Sequence, residues 1–260
     1  MSAQANPVLE TQDLTIRFGG HVAVNQVSCK FYPGTLTSIV GPNGAGKTTY
    51  FNLISGQLPA TSGSVKLFGD DITSLKAPAR TRRGIGRAFQ LTNLFPNLSV
   101  LENARLAVAS RLGMGFNMLT MADKHVDVTD KAMHYLERVS LAKKADFTAA
   151  ALPHGDQRKL EVGLLLALEP EIFMFDEPTA GMSVDEVPVI LDLIREIKDQ
   201  GDKTVLLVEH KMDVVRSLSD RIIVLHNGQL VADGAPAEVI ASPVVQEAYL
   251  GAAPQQAAAH

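Results

Sequence analysis

The chain has 260 residues, a formal net charge of −4 at pH 7 and 46% hydrophobic residues. This length suffices for one large α/β domain or a core with a subdomain, and the acidic balance disfavours a nucleic-acid partner held by electrostatics. Cys29 is the only cysteine, which excludes a disulfide framework, and no run approaches the roughly 20 apolar residues of a membrane span, so membrane association is expected to come through a partner.

A predicted strand at 35–40 leads directly into a glycine-rich turn and then into helix-forming residues. In such a turn the backbone N–H groups point at an anion, and the helix start adds the positive end of its dipole. Lys47 is expected to reach the β- and γ-phosphates, and the Thr48 hydroxyl to ligate Mg²⁺. The spacing predicts a nucleoside triphosphate site, with a simple glycine turn as the alternative. Its residues are Gly41, Pro42, Asn43, Gly44, Ala45, Gly46, Lys47, Thr48 and Thr49.

Gln90 follows a second predicted strand, at 84–89. Its amide oxygen is a candidate Mg²⁺ ligand that can swing away when the next segment moves. Beyond it, residues 91–156 show helical rather than strand patterns. Within them, 112–128 is rich in Gly and Met and predicts a loop or a frayed helix.

Two acidic residues follow the apolar run at 172–175. Four consecutive apolar residues indicate a strand buried on both faces of a parallel sheet, and ligands bind at the carboxyl ends of such strands. We expect Asp176 to hold the Mg²⁺ shell through water, and Glu177 to orient and polarise the attacking water. An accidental pair of acids is the alternative.

His210 ends another predicted buried strand, which begins at Thr204. A neutral imidazole there can donate to a γ-phosphate oxygen. Strands at 172, 204 and 221 alternate with helices at about 183–199 and 211–218, which predicts a parallel sheet. The Ala/Gln-rich residues 252–260 are predicted to be a disordered tail.

These motifs, in this order, resemble the ATP-binding subunits of ABC transporters. The resemblance covers nearly the whole chain and includes a signature-like segment at 152–157. It implies ATP and Mg²⁺ as cofactors and a P-loop NTPase fold: a mostly parallel α/β core, an N-terminal antiparallel β subdomain and a helical insert. The implied single domain spans 8–251, with the core at 8–90 and 157–251 and the helical subdomain at 91–156.

Phe18 falls where this family places an aromatic ring that stacks on adenine. The alternative is a core residue of the strand that ends there, because phenylalanine is often buried.

Other segments resemble one subgroup, the ATP-binding subunits of importers for branched-chain and related hydrophobic amino acids or amides. These segments are Arg17–Gly20, Phe89–Leu91, Ala180–Met182 and Glu247–Gly251. The resemblance implies two membrane permeases, a second ATP-binding subunit, a periplasmic solute-binding protein and a place at the cytoplasmic face of the membrane. Homodimer and heterodimer, import and export, and relatives that serve urea or other small solutes all stay open.

The signature departs from the family's usual Leu-Ser-Gly-Gly-Gln. Pro153 replaces the serine, His154 replaces a glycine, Gly155 is kept, and Asp156 stands where glutamine is usual. Proline lacks a hydroxyl and an N–H, and a carboxylate near a phosphate is unfavourable unless it turns away. We expect the composite site that uses this signature to be the weaker of two, with neutral drift as the alternative.

Two other classes of protein remain as alternatives. One is a soluble ABC-type ATPase that drives assembly, repair or translation; such proteins usually carry long coiled insertions or tandem cassettes, and this chain has neither. The other is a nucleotide-binding module that switches without hydrolysis. The presence of both Glu177 and His210, the candidate residues for hydrolysis, disfavours it.

Overall fold

The structure is a computed structural model that describes residues 6–88, 94–114 and 122–250. The chain divides into two compact units, Met1–Arg80 with Thr204–His260, and Thr81–Lys203. In chain order the elements are β1 (Leu9–Phe18), β2 (His21–Phe31), β3 (Leu36–Val40), α1 (Lys47–Ser55), β4 (Ser62–Leu67), β5 (Asp70–Asp71), α2 (Ala77–Arg82), β6 (Ile85–Ala88), α3 (Val100–Arg111), α4 (Ala122–Arg138), α5 (His154–Leu168), β7 (Ile172–Asp176), α6 (Val187–Asp199), β8 (Thr204–Val208), α7 (Met212–Leu218), β9 (Arg221–His226), β10 (Gln229–Gly234), α8 (Pro236–Ala241) and α9 (Pro243–Leu250).

The first unit contains an antiparallel sheet in the order β2-β1-β4-β5. Its central strand, β1, pairs antiparallel with both β2 and β4. Leu9, Leu14 and Ile16 are buried, whereas Phe18, the last residue of β1, is 50% exposed. The sheet therefore holds an aromatic side chain at its rim, with the core behind it.

The same unit contains four strands in the order β10-β9-β3-β8. β3 pairs parallel with both β8 and β9, and β10 pairs antiparallel with β9. All five residues of β3 and all five of β8 are buried, as expected for strands covered on both faces. Because β3 and β8 are parallel, the residues that follow them emerge at the same edge.

The second unit pairs β6 parallel with β7 and packs α3, α4 and α5 together. Every residue of β7 is buried. Gly86 in β6 lies against Leu165 and Pro170, where a Cβ would come within 2.6 Å of the proline ring. This close approach requires glycine and brings β6 up to α5.

The predicted architecture is confirmed: a mostly parallel α/β core, an antiparallel β sheet and a helical segment. The strands predicted at 35–40, 172 and 204 are β3, β7 and β8. In the segment 112–128, expected to be a loop or a frayed helix, the residues from Ala122 onward form the start of α4. Its buried Val128, Ala132 and Leu136 recur at helical spacing and pack on the neighbouring helices.

The elements that were not predicted include α2, β10, α8 and α9. Val239 of α8 and Val245 of α9 belong to a buried cluster with Val215 of α7. The predicted tail at 252–260 lies outside the described residues. None of the helices in the described part of the chain combines the length and the apolar character needed to cross a bilayer.

Candidate nucleotide site

The turn after β3 is built by glycines that no other residue could replace without strain. Gly41 has φ 149° and Gly46 has φ 97°, both in the region that side chains disfavour. A Cβ at Gly41 would overlap the carbonyl oxygen of Leu225, and one at Gly46 would overlap that of Ala23. The loop therefore packs tightly on its own unit, and the N-terminus of α1 begins directly after Gly46.

Lys47 folds back across the turn instead of extending into solvent. Its Nζ donates to the carbonyl oxygens of Gly41 at 2.7 Å and Pro42 at 2.9 Å, and the residue is only 6% exposed. The ammonium group thus lies inside the loop that the N-terminus of α1 faces. The Lys47 ammonium, the N-terminus of α1 and the N–H groups of the glycine turn together form an anion-binding loop. These donors fit a polyphosphate.

Phe18 is not buried, so the alternative that it is a core residue of β1 is wrong. Half of its surface is accessible, and the tight turn that contains Gly19 (φ 58°) follows it. An exposed aromatic ring at a strand end offers one free face to a flat, apolar partner.

His210 is exposed after β8, at the same edge as the glycine turn. Its backbone N–H donates to Glu209 Oε2 at 2.9 Å, and the N–H of Lys211 donates to the same oxygen at 3.2 Å. Glu209 is 3% exposed. This buried carboxylate holds the backbone on either side of the histidine.

In the second unit, Asp176 ends β7 and is paired with a buried arginine. Arg87 Nη2 donates to Asp176 Oδ2 at 2.8 Å, and both side chains are 6% exposed. Burial lowers the pKa of the Arg87 guanidinium, and the carboxylate opposes that effect. One oxygen of Asp176 is thus committed to Arg87, a geometry that suits a carboxylate reaching a cation through water better than one clasping it with both oxygens.

Glu177 begins a turn immediately after β7. Its φ is 53°, a left-handed conformation that costs a non-glycine residue free energy, and the Ala180 N–H donates to its carbonyl at 3.1 Å. Strained backbone at a carboxylate next to Asp176 is typical of a functional turn. The side chain is half-buried.

The signature residues form the start of α5. Pro153 is the N-cap and gives no side-chain cap, and His154 is exposed and packs beside Gly181, where a Cβ would come within 3.2 Å of Cε1. Asp156 is buried, 6% exposed, and pairs with Lys144 and with Lys159 Nζ, the latter at 3.1 Å. Both oxygens of the Asp156 carboxylate are thus engaged by lysines.

The pKa of Asp156 reflects these partners. Burial by itself would raise the pKa, but the hydrogen bonds and charges of Lys144 and Lys159 outweigh it and hold the pKa below the usual value. Asp156 is therefore ionised in the folded chain at neutral pH.

Gln90, one of the three residues predicted to hold Mg²⁺, lies outside the described residues. The structure therefore gives the surroundings of Thr48 and Asp176 but not of Gln90. Carboxylate, hydroxyl and amide oxygens are the ligands that Mg²⁺ takes in proteins, so the chemistry of this set fits the ion.

Comparison with known proteins assigns the family. A family model described as "ABC transporter" matches residues 24–180, more than half of the chain. The chain belongs to the ABC transporter ATP-binding family. Chains of this family are ATPases that work as transporter subunits, and a second model, "Branched-chain amino acid ATP-binding cassette transporter", matches residues 229–254 of this one.

Two curated relatives of this ABC subunit are similar along their whole length. One is the high-affinity branched-chain amino acid transport ATP-binding protein LivG of Escherichia coli (strain K12), 38% identical over 254 residues, which cover 96% of this chain and 100% of the relative. The other is the corresponding protein BraF of Pseudomonas aeruginosa, 38% identical over 256 residues with the same coverage.

Solved ABC cassettes have the same fold. The ADP conformation of an ATP-binding cassette of an ABC transporter superposes with a TM-score of 0.79 at 29% identity, covering 94% of this chain and 99% of that one. A dimeric post-hydrolysis cassette bound to ADP and Pi has a TM-score of 0.76 at 25% identity, covering 88% and 98%.

Several residues of this ABC subunit escaped the sequence analysis. Arg87 pairs with Asp176, and Glu209 accepts from the backbone N–H of His210. Lys144 and Lys159 pair with Asp156, and Glu186 pairs with Lys159. Glu209 stands directly before His210, so an acid after an apolar strand was a usable signal. Lys159 was also detectable, because it stands three residues after Asp156 on the same helix, whereas Lys144 is 12 residues away and carries no local signal.

Proposed function

We propose that this chain is the ATP-hydrolysing subunit of an importer of branched-chain or related hydrophobic amino acids. The observation that carries the proposal is the buried Lys47 inside the glycine cradle of a chain that matches branched-chain relatives from end to end. The family identity supplies the activity, and the relatives' transport role supports the substrate class.

ATP would be held by residues 41–49, with Lys47 on the β- and γ-phosphates. The Mg²⁺ would be held by Thr48, Gln90 and, through water, Asp176. When bound, Mg²⁺ would neutralise the negative charge of the phosphates during transfer of the γ-phosphoryl group. Glu177 orients and polarises the attacking water, and His210 donates to a γ-phosphate oxygen. Phe18 stacks on adenine.

The permeases would dock on the second unit beside α3. A groove of about 370 Å³ is lined by Leu94, Pro96, Ala149, Ala150 and Gln157. Phe95 and Phe147 flank it in sequence and are 55% and 53% exposed. An apolar patch of this kind favours a protein partner over solvent.

A second ATP-binding subunit would complete each nucleotide site with its signature. The dimeric relative bound to ADP and Pi supports dimerisation. In this chain Pro153 removes a serine hydroxyl, so the site built on this signature is proposed to hydrolyse more slowly than the site built on this chain's Lys47. A periplasmic solute-binding protein would deliver the solute, and the chain would lie at the cytoplasmic face of the inner membrane.

The test begins with capture of the assembly. A tagged Glu177→Gln form, purified with ATP from mildly solubilised membranes, is expected to bring two polytopic permeases and a second ATP-binding chain, identified by mass spectrometry. Capture of soluble proteins alone would contradict the transporter assignment and favour an assembly ATPase.

The second stage measures transport. The captured wild-type assembly in liposomes, with its solute-binding protein, should take up labelled leucine when ATP is supplied on the side of this chain. Lys47→Ala should abolish uptake and leave only the slow hydrolysis of the composite site that uses this chain's signature. Uptake of urea or a short amide in place of leucine would keep the ATPase role and correct the substrate. A Glu177→Gln form with full ATPase activity would contradict the role of Glu177.

A further inference from the structure

Four charged side chains surround the first turn of α5. Asp156 pairs with Lys144 and, through Oδ1, with Lys159 Nζ at 3.1 Å. The same Lys159 Nζ donates to Glu186 Oε1 at 3.0 Å. Lys159 therefore bridges two carboxylates, one on the signature helix and one at the start of α6.

The far end of this bridge is also fixed. Glu186 Oε2 accepts hydrogen bonds from the Ser183 hydroxyl at 2.9 Å and from the Ser183 N–H at 3.2 Å. Gly155 has no side chain, and a Cβ there would overlap the Glu186 carboxylate. The Glu186 carboxylate thus lies directly against the signature glycine.

Burial makes these charges matter. Asp156 is 6% exposed, and the Lys159 side chain is 12% exposed. The side chains of Lys144 and Glu186 are more exposed, at 38% and 26%, so water and salt screen the cluster in part. Two carboxylates face two lysines, and the cluster is neutral.

An aspartate at 156 changes the charge at a place where the family usually has a neutral glutamine. If Lys159 were neutral, the cluster would carry one net negative charge beside the helix start. A triphosphate that approaches this helix start would then meet repulsion in place of a neutral surface.

We propose that Lys159 is a positioning residue for the nucleotide bound by the partner ATP-binding subunit: it holds the Asp156 and Glu186 carboxylates together and neutralises them, so that the signature accepts the triphosphate. This inference rests on the proposed function, because it needs the signature to face a partner's nucleotide. Lys159 touches neither the substrate nor the reacting atoms; it acts through Asp156 and Glu186.

The test uses ATPase kinetics of the assembled transporter in a Lys47→Ala background, which silences the other composite site, so that KM and kcat report the slower site that uses this signature. The assembly with Lys159 unchanged in that background is the wild-type reference. Lys159→Met should raise KM for ATP about fivefold while kcat stays close to that of the wild type. Lys159→Arg should keep the wild-type KM because it keeps the charge and both partners. Lys143→Met, which removes the charge of an exposed neighbouring lysine, is the matched control and should leave KM unchanged.

Rescue separates charge from packing. Lys159→Met combined with Asp156→Gln restores neutrality with the amide that the family uses, and should return KM to the wild-type value although it removes a further hydrogen bond. The rise in KM of the single variant should shrink between about 50 mM and 500 mM salt, because screening weakens the repulsion. ATP affinity of the isolated Lys159→Met chain, which reports its own glycine cradle, should not change.

The outcomes distinguish the two proposals. A wild-type assembly without Lys47-dependent hydrolysis overturns the proposed function and this inference with it. An assembly that hydrolyses ATP, but in which Lys159→Met keeps the wild-type KM, overturns this inference alone. A higher KM in the double variant than in Lys159→Met, or a loss confined to kcat, would show that Lys159 only supports the structure. Either result also overturns this inference.

Discussion

Arg87 donates to Asp176 across two parallel strands, with 2.8 Å between Nη2 and Oδ2 and almost no exposure of either side chain. Neighbouring strands thus supply a carboxylate and the cation that neutralises it. Breaking a buried pair on one side leaves an uncompensated charge, which costs more than the pair is worth.

Arg87→Met is expected to lower the free energy of unfolding by about 3 kcal/mol, because the Asp176 carboxylate loses its buried partner. Urea unfolding measures the loss. Arg87→Met with Asp176→Asn should recover most of it, since the second change removes the stranded charge. A single variant as stable as the wild type would contradict the pairing.

Gly46→Ala should abolish ATP binding and lower stability, because a Cβ would overlap the Ala23 carbonyl oxygen at a φ of 97°. Gly44→Ala is the matched control: its φ is 80°, but no atom lies within 4 Å of the added Cβ. It should lose only about 1 kcal/mol of stability, from strain alone. Equilibrium binding of a fluorescent ATP analogue and urea unfolding measure both effects, and equal losses would contradict the packing argument.

Phe18→Ala should weaken ATP affinity about tenfold if the ring stacks on adenine. Phe68→Ala removes a ring that is similarly exposed, 56% against 50%, and should leave affinity unchanged. Calorimetric titration of the isolated chain with ATP and with inorganic triphosphate gives the readout. Only ATP binding should weaken in Phe18→Ala, because triphosphate has no base.

Arg80 is the largest fully buried side chain of the described residues and closes the C-terminus of α1. Its guanidinium donates to the carbonyls of Leu53 and Ile54, each at 2.7 Å, and also to those of Thr73 and Leu75. Burial lowers its pKa to about 10. Arg80→Leu should cost about 3 kcal/mol, because four carbonyls lose donors. Arg82→Leu, at an exposed position, should leave the free energy of unfolding almost unchanged. Equal losses of stability for the two variants in urea unfolding would contradict the role of Arg80 at the end of α1.

Asp156 and Glu161, on the same helix, should respond to pH with opposite signs. The pKa of Asp156 is lowered below its usual 3.8, so its stabilisation is complete at neutral pH and is lost as pH falls through the lowered pKa. Burial raises the pKa of Glu161 above its usual 4.5, and Arg158 opposes that rise. Its favourable contribution is therefore present below pH 4.5 and lost as pH rises through the raised pKa.

Asp156→Asn should therefore destabilise the chain at pH 7 by about 1 to 2 kcal/mol, and Glu161→Gln should stabilise it by about 1 kcal/mol. Glu161 Oε1 is buried without a hydrogen-bond partner, which fits a carboxylate that costs free energy when ionised. Urea unfolding from pH 7.5 downward checks both; the two differences from the wild type should shrink as acid protonates the carboxyls. The same sign for both variants would be the contrary result.

Local pattern determined much of this protein. At 35–54 a strand, a glycine turn and a helix follow one another. This order depends only on local backbone conformation and short spacings, so the phosphate cradle could be predicted from the sequence. The buried runs before Asp176 and His210 placed these residues at strand ends for the same reason. At β10 a local signal was present but was not used: Asn227 and Gly228 have positive φ and form a two-residue turn that joins β9 to β10.

Only the tertiary structure decided how the site residues are held. Arg87 meets Asp176 from 89 residues away, and Lys144 and Glu186 reach the first turn of α5 from either side in sequence. An ion pair depends on where packing brings two side chains, and no local propensity encodes that. The sequence predicted that an aspartate at 156 should turn away from a phosphate. Packing brings Lys144 to this carboxylate, whereas Lys159 is already its neighbour on the same helix.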